Sequence, residues 1–169
     1  MKFSSRLAAL LFSALALSAT ASFAQSAVPF NATFTIEETL GPVPESGCGN
    51  LLTGIISGQG NATHLGRTVI SGVNCVAMQV NAGYPVFTFT DGKITLMAAN
   101  GDLLHGTVNG SFIPAGGSNV NLFKVVDGTY SFTHGTGRFA AAKGRGTLSG
   151  TQDIITTKGQ LQATGTISY

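Results

Sequence analysis

Apolar and polar residues alternate with a period of two along most of the chain, and this alternation predicts half-buried β-strands. In the first such segment Phe34 and Ile36 alternate with threonines and Glu37. The same pattern recurs over residues 51–58, 62–70, 75–80, 84–90, 93–99, 104–112, 126–132, 146–155 and 161–169. No segment keeps an apolar period of 3.6 residues, and the most helix-like piece, residues 138–143, is about one turn long.

Glycine, proline, asparagine and aspartate separate these segments, as expected of turn residues. Asn100-Gly101 is the strongest hairpin signal, and further turns or loops are predicted at residues 41–47, 58–61, 91–92, 113–121 and 158–159. About seven to nine short strands with turns roughly every 8–12 residues predict an all-β barrel or sandwich. Because glycines inside the strands favour strong curvature, we predict a small closed antiparallel β-barrel of about eight strands.

The N-terminus has the three parts of a secretory signal peptide. Lys2 and Arg6 precede an apolar run over residues 7–17, and small residues lead to Ser22-Phe23-Ala24. The apolar run is too short for a stable membrane anchor. We therefore predict a signal peptide at residues 1–24, a single domain at residues 25–169, no membrane segment after signal removal, and a location in the periplasm or outside the cell.

Composition and charge narrow the classes of partner. The nine Lys and Arg and seven Asp and Glu give the whole chain a formal net charge of +2. Lys2 and Arg6 belong to the predicted signal peptide, so the exported part is formally neutral. A neutral chain offers no electrostatic basis for binding nucleic acid or an anionic membrane.

Two cysteines, Cys48 and Cys75, remain after signal removal. In an oxidising compartment two cysteines are expected to pair, and we predict a disulfide between them. A metal pair and a reactive thiol are the alternatives. The lack of clustered histidines argues against a metal pair.

The stretch HGTGRFAAAKGRGTLSG, residues 134–150, contains G-x-G-x-x-A after a strand-like segment. A dinucleotide-binding loop needs a βαβ unit with a helix N-terminus under the phosphate, and no crossover helix is available here. We interpret the stretch as a corner of the barrel. Gly135 and Gly137 let the chain leave one strand, Phe139 fills apolar space at the barrel end, and Gly144 helps the chain enter the next strand.

The basic residues of this stretch, Arg138, Lys143 and Arg145, are predicted to lie on the barrel rim as solvated charges, with an anion site as the alternative. The phenylalanines of the strands and of this corner are predicted to be core residues, because no basic residues are interleaved with them as in a nucleic-acid face. They are Phe87, Phe89, Phe112, Phe132 and Phe139.

Two blocks carry a resemblance to a known superfamily. DGTYSFTHGTGRFAAAKGRGTLSG, residues 127–150, resembles the G-G-T-G-x-F-x-x-A-x-G segment of allene oxide cyclases and dirigent proteins, with His134 in place of the usual first glycine. TLMAANGDLLHGTVNGSF, residues 95–112, is similar to the N-G-D-x-L-x-G-T hairpin of bacterial relatives. The resemblance implies an eight-stranded antiparallel barrel with a cavity for apolar small molecules, often trimeric in the plant families. The matched residues form turns, so the resemblance implies a fold and no particular activity.

Candidate chemistry is sparse. His64, His105 and His134 lack the spacing of metal ligands, and we expect them to lie apart on the surface or rim, with no bound metal. Glu38 follows Ile36 on the same side of the first strand and is the one candidate for an interior catalytic carboxylate, but we expect the strand to end there and leave it solvated. The aspartates Asp91, Asp102 and Asp127 each lie beside glycine in or next to a turn, where such side chains commonly bond the backbone.

Three functions remain open. We prefer an exported barrel that binds a small apolar molecule or a partner without covalent catalysis and without a cofactor. The second is a cyclase or isomerase, or a dirigent-like enzyme, acting on a lipid-like or phenolic substrate through cavity shape. The third is a structural or interaction scaffold.

Overall fold

The computed structural model describes residues 26–43 and 45–169, so the predicted signal peptide, residues 1–24, lies outside the described residues. Eight strands follow one another: β1 (Val28–Gly41), β2 (Leu52–Ala62), β3 (Gly66–Asn81), β4 (Tyr84–Met97), β5 (Leu103–Pro114), β6 (Leu122–Gly135), β7 (Lys143–Asp153) and β8 (Lys158–Ser168). A single 3₁₀ turn, Gly137–Phe139, lies between β6 and β7. No helix in the described part of the chain has the length and apolar character needed to cross a membrane.

The strands form one closed barrel in which each strand pairs antiparallel with the next. β1 also pairs with β8, from Val28 opposite Ile167 to Glu37 opposite Lys158, and this pairing closes the barrel. Closure leaves no open sheet edge among the described strands, so edge-to-edge aggregation is suppressed. The prediction of a small closed antiparallel barrel of about eight strands is confirmed.

The period-two pattern places one side of each strand in the core. On β1 the side chains of Phe30, Phe34 and Ile36 are at most 3% exposed, while Asn31, Thr33 and Thr35 face solvent. Aromatic rings from β6 meet them across the barrel: the ring centres of Phe30 and Phe132 are 5.0 Å apart in an edge-to-face arrangement. The interior is therefore packed with side chains, as expected for a barrel of eight strands.

The turn predicted at residues 58–61 is wrong, because these residues lie inside β2. Gly58 and Gly60 face Ile36 and Phe34 of β1, and a Cβ on Gly60 would lie 1.9 Å from the Thr33 carbonyl oxygen. These glycines permit close approach of two strands. The chain turns at residues 63–65 instead, and β3 joins two segments that the pattern predicts as separate strands.

Two further predicted turns are wrong for related reasons. Asp91-Gly92 lies within the continuous strand β4, where the register with β5 shifts between Phe89 and Gly92 and Asp91 has φ +49°. Lys158-Gly159 begins β8, and the preceding turn is at residues 154–156. A bulge and a turn use the same residue types, so the sequence alone does not separate them. The Asn100-Gly101 hairpin is present, with Gly101 at φ +87°.

The glycine-rich corner closes one end of the barrel. Phe139 is fully buried there, with its ring centre 5.1 Å from that of Tyr169. Gly137 has φ +52°, and a Cβ on it would lie 2.0 Å from Asp102 Oδ1. Only one 3₁₀ turn follows the glycines before β7 begins at Lys143, so the corner has no long helix whose N-terminus could hold a phosphate.

The predicted disulfide between Cys48 and Cys75 is present, with a Cα–Cα distance of 5.3 Å. Cys48 lies in the connection between β1 and β2, and Cys75 lies on β3. The bond therefore ties this connection to the wall of the barrel. Neither described cysteine is free.

Candidate functional site

The barrel interior contains a small cavity with apolar walls. Its free volume is about 40 Å³, which is room for about three water molecules. Most lining residues are Phe, Ile, Leu or Val, and the polar exceptions are Glu38, Asn74 and Tyr130. No Lys, Arg or His is among the described residues that line it.

Glu38 faces this cavity because the alternation of β1 continues past the point where we expected the strand to end. The residue is 3% exposed, so the expectation of a solvated Glu38 is wrong. Two backbone bonds hold it: its N–H donates to the Thr157 carbonyl at 2.9 Å, and its own carbonyl accepts from Gln152 Nε2 at 3.2 Å. These contacts, together with the pairing of β1 with β2 as far as Gly41, keep Glu38 within the strand, and the alternation of β1 points its side chain inward.

Asn74 provides the side-chain partner of Glu38. Asn74 Nδ2 donates to Glu38 Oε1 at 3.1 Å, and Asn74 itself is 3% exposed. It lies at the irregularity of β3, where the register with β4 shifts between Val73 and Cys75. Asn74 Oδ1 is buried and has no hydrogen-bond partner among the described residues.

Two glycines provide the space for this pair. A Cβ on Gly54 would lie 2.1 Å from Asn74 Oδ1 and 2.4 Å from Glu38 Oε1. A Cβ on Gly92 would lie 2.9 Å from Asn74 Cβ. Glycine at both positions lets polar side chains occupy a part of the barrel wall where any other residue would collide with them.

Burial raises the pKa of the Glu38 carboxyl above its ordinary value of 4.5, and the hydrogen bond from Asn74 opposes that rise. A neutral carboxyl has one O–H donor, and Asn74 Oδ1 needs a donor. A protonated Glu38 can therefore form a two-bond acid–amide pair with Asn74, donating to Oδ1 while accepting from Nδ2. The same proton can instead be donated to a bound molecule, because the neutral carboxyl has only one O–H.

Tyr130 of β6 is the third polar residue of the cavity. Its hydroxyl is buried without a hydrogen-bond partner among the described residues, and burial raises its pKa to about 12. The hydroxyl lies over Gly146 and Gly165, where added Cβ atoms would be 2.7 and 2.6 Å from it. Tyr130 therefore stays neutral at physiological pH and has an O–H to donate.

A second, smaller cavity of about 10 Å³ lies beside the first. Glu38 and Phe112 line both cavities. Phe112 is only partly buried, and its ring centre is 5.4 Å from that of Phe89. The Phe112 ring therefore lies between the two spaces, and its rotation could join them.

The histidines are not all separate. His64 lies alone, with Nε2 2.9 Å from the Pro29 carbonyl oxygen, whereas the ring centres of His105 and His134 are only 4.8 Å apart. The expectation of three isolated histidines is therefore wrong for this pair. No group of three or more His, Cys, Asp or Glu side chains suited to a metal occurs among the described residues.

The remaining candidates have local roles. Asp102 accepts from Asn100 Nδ2 at 2.8 Å in the hairpin turn, while Asp91 and Asp127 lie at strand irregularities with φ +49° and +52°. Arg138 donates to the His64 carbonyl and lies over the Phe139 ring, with its guanidinium carbon 4.8 Å from the ring centre. None of these groups lines the interior cavity.

Sequence reasoning missed Asn74, Tyr130 and Gln152. Asn74 falls between two predicted segments and therefore looks like a loop residue, although it is the central polar residue of β3. Tyr130 shares the apolar face of its strand and gives no polar signal. Gln152 is buried two residues beyond Gly150 on the inward side of β7. Only the registers of β1, β3 and β7 bring Asn74 and Gln152 near Glu38.

Comparison of the chain with models of known protein families gives no match, and comparisons with curated proteins and with solved structures give none either. For this chain the fold alone is therefore shown, and it is a closed eight-stranded antiparallel β-barrel.

Proposed function

We propose that this protein binds a small, uncharged, largely apolar molecule that has one oxygen-containing polar group, inside the barrel. The carrying observation is that Tyr130 and Asn74 line a cavity whose walls, apart from Glu38, are apolar, while the Tyr130 hydroxyl and Asn74 Oδ1 have no hydrogen-bond partner among the described residues. An unpartnered buried polar group costs about 1–3 kcal/mol. A bound hydroxyl or carbonyl group would remove part of that penalty. If the barrel were only a structural scaffold, apolar side chains in place of Tyr130 and Asn74 would make it more stable.

The size of the cavity restricts the ligand. A free volume of about 40 Å³ is much smaller than the volumes of several hundred cubic ångströms that are typical of pockets for drug-sized ligands. A ligand with a ring must displace side chains, and we choose Phe112 as the side chain to move because it is only partly buried and lines both cavities. Among the described residues no Lys, Arg or His lines the cavity, so a buried anion would have no partner there. This supports an uncharged ligand.

Toluene, p-cresol and benzoate test this proposal, because they share a ring and differ in the polar group. We expect p-cresol to shift the amide NMR signals of residues around Asn74 and Tyr130 and to bind about tenfold more tightly than toluene, the effect of one hydrogen bond. Benzoate should not bind. Phe112→Ala should tighten binding of both neutral probes, whereas Tyr130→Phe should reduce the preference for p-cresol.

The proposal is wrong if neither neutral probe shifts interior signals in the native protein or in Phe112→Ala, and native mass spectrometry of the gently purified protein shows only the chain. That outcome would favour the scaffold hypothesis. Benzoate binding as tightly as p-cresol would also contradict the proposal.

A second function, isomerisation or cyclisation of a lipid-like or phenolic substrate, is favoured by one observation. Glu38 is a buried carboxyl with a raised pKa beside an amide partner, which is how proteins keep a carboxylic acid neutral for proton donation. Incubation with an unsaturated fatty-acid epoxide, with product analysis, tests this. Turnover that Glu38→Gln abolishes while p-cresol binding persists would support the enzyme; no turnover would exclude it for this substrate class.

The same proposal has three further parts: membership of the allene oxide cyclase and dirigent superfamily, export, and assembly into a homo-oligomer. The closed eight-stranded barrel agrees with that superfamily, and the Cys48–Cys75 disulfide suits an oxidising compartment. N-terminal sequencing of the protein from the extracytoplasmic fraction should start at Gln25. Light scattering measures the oligomeric state directly.

A further inference from the structure

Two histidines face each other on the outer wall of the barrel, away from the interior cavity. His105 of β5 is the register partner of His134 of β6, and the ring centres are 4.8 Å apart with planes inclined by 31°. His134 is exposed and His105 is partly exposed. Both rings are therefore accessible from solvent.

A β-bulge produces this pairing. The register passes from His105 opposite His134 to Gly106 opposite Phe132, so Thr133 is an extra residue on β6. In an unbroken strand His134 would share the inward side of Phe132, which is 3% exposed. The bulge turns His134 outward, next to His105. Bulges commonly re-aim side chains in this way at functional sites.

Hydrogen bonds fix both rings through the same atom. His105 Nδ1 lies 3.0 Å from Thr95 Oγ1, and His134 Nδ1 lies 2.9 Å from Thr133 Oγ1. Thr95 is on β4, on the side of β5 away from β6, so this hydrogen bond holds the Nδ1 atom of His105 on the side away from His134. Neither Nε2 has a hydrogen-bond partner among the described residues. Histidines that bind metals usually have their second nitrogen fixed by such a bond.

The ring separation suits one shared ion. With metal–nitrogen distances of about 2.0–2.1 Å and an angle of roughly 90–110° at the metal, two imidazole ring centres lie about 4.5–5.2 Å apart. The observed 4.8 Å is inside this interval. The ring-centre separation is therefore compatible with one ion shared by the two Nε2 atoms.

We propose that His105 and His134 form a two-histidine site for a divalent transition metal, with Cu²⁺ bound most tightly and water completing the coordination. Imidazole nitrogen is a good ligand for copper, nickel and zinc, and the usual order of affinity places Cu²⁺ first. Lys143 opposes this binding, because its ammonium group donates to the Thr133 carbonyl at the edge of the site. His64 takes no part, since Pro29 occupies its Nε2.

Titration calorimetry and electron paramagnetic resonance on the purified protein, without a histidine tag, test the site. We expect one Cu²⁺ per chain with two nitrogen ligands, and Zn²⁺ bound at least about tenfold more weakly. His105→Gln and His134→Gln should each lower Cu²⁺ affinity at least about tenfold, while His64→Gln is the matched control and should leave it unchanged. Thr95→Val should lower it by about tenfold, and Lys143→Gln should raise it.

Two results would overturn the site: no stoichiometric Cu²⁺ binding, or binding of equal strength in the His105→Gln/His134→Gln double variant, which would assign the ion to the N-terminal amine or another group. Thermal unfolding of each variant without metal excludes loss of fold as the cause of weaker binding. A gain of affinity in Lys143→Gln cannot arise from misfolding, so it supports the site independently.

Discussion

Asn74 Nδ2 donates to Glu38 Oε1 at 3.1 Å inside a barrel whose other cavity walls are mostly hydrocarbon. The two residues are 36 positions apart and belong to β1 and β3, which do not pair with each other. They meet because both side chains point inward and because Gly54, on the strand between them, has no side chain. The buried polar contact thus depends on three neighbouring strands.

The first prediction concerns the pH dependence of stability. Burial raises the folded-state pKa of Glu38 above 4.5, so the folded protein retains a proton that the unfolded chain releases. The stabilisation is fully present below the unfolded-state pKa and is lost as the pH rises through the folded-state value. Urea unfolding should therefore show that Glu38→Gln matches the native protein near pH 4.5 and exceeds it in stability near pH 8.

Glu37→Gln is the control for this measurement, because Glu37 is the exposed neighbour on the same strand. Its difference in unfolding free energy from the native protein should not change between the two pH values. If Glu38→Gln behaves like Glu37→Gln, the Glu38 side chain does not occupy the buried position.

The second prediction concerns the glycine behind the pair. Gly54→Ala would place a methyl group 2.1 Å from Asn74 Oδ1 and 2.4 Å from Glu38 Oε1. Overpacking of this kind destabilises by about 1–3 kcal/mol, and here it should also separate the two polar groups. Chemical denaturation measures the loss.

Gly41→Ala is the matched substitution in the same barrel. A Cβ on Gly41 meets nothing within 4 Å and the residue does not have positive φ, so the change should stay within about 0.5 kcal/mol. If both alanine variants lost the same unfolding free energy, the loss in Gly54→Ala would come from replacing a glycine in general and not from a collision with Asn74.

The barrel could be predicted from the sequence because its determinants are local. Alternation sets the strands, and in-strand glycines such as Gly106 and Gly128 favour the curvature. The interior site could not be predicted, because it depends on register. Asn74 shares the inward side of β3 with Ile70 and Val76 through unbroken alternation, and Glu38 shares the inward side of β1 with Ile36. The alternation pattern predicted neither strand at its full length, and the two residues meet only through the observed registers of β1 and β3 with β2. A shift of one residue in either register would turn these groups to solvent.

The third prediction concerns the disulfide. Cys48 and Cys75 are 27 residues apart, and the chain-entropy estimate for a loop of that length is about 3.5 kcal/mol. A Cys48→Ser/Cys75→Ser double variant should lose roughly this unfolding free energy. Thiol labelling of the native protein under non-reducing, denaturing conditions should find no free cysteine, and two labelled thiols would contradict the bond.

The last prediction separates stability from function at Tyr130. Its hydroxyl is buried without a hydrogen-bond partner among the described residues, so Tyr130→Phe removes an unsatisfied group while keeping the ring that packs 4.8 Å from Phe132. We expect the unfolding free energy to rise by up to about 1 kcal/mol, together with weaker binding of p-cresol and unchanged binding of toluene. Such a trade is expected where a polar group is retained for binding at the expense of stability. A variant that is less stable than the native protein would show that the hydroxyl has a partner within the barrel, and the case for a ligand at this position would then be lost.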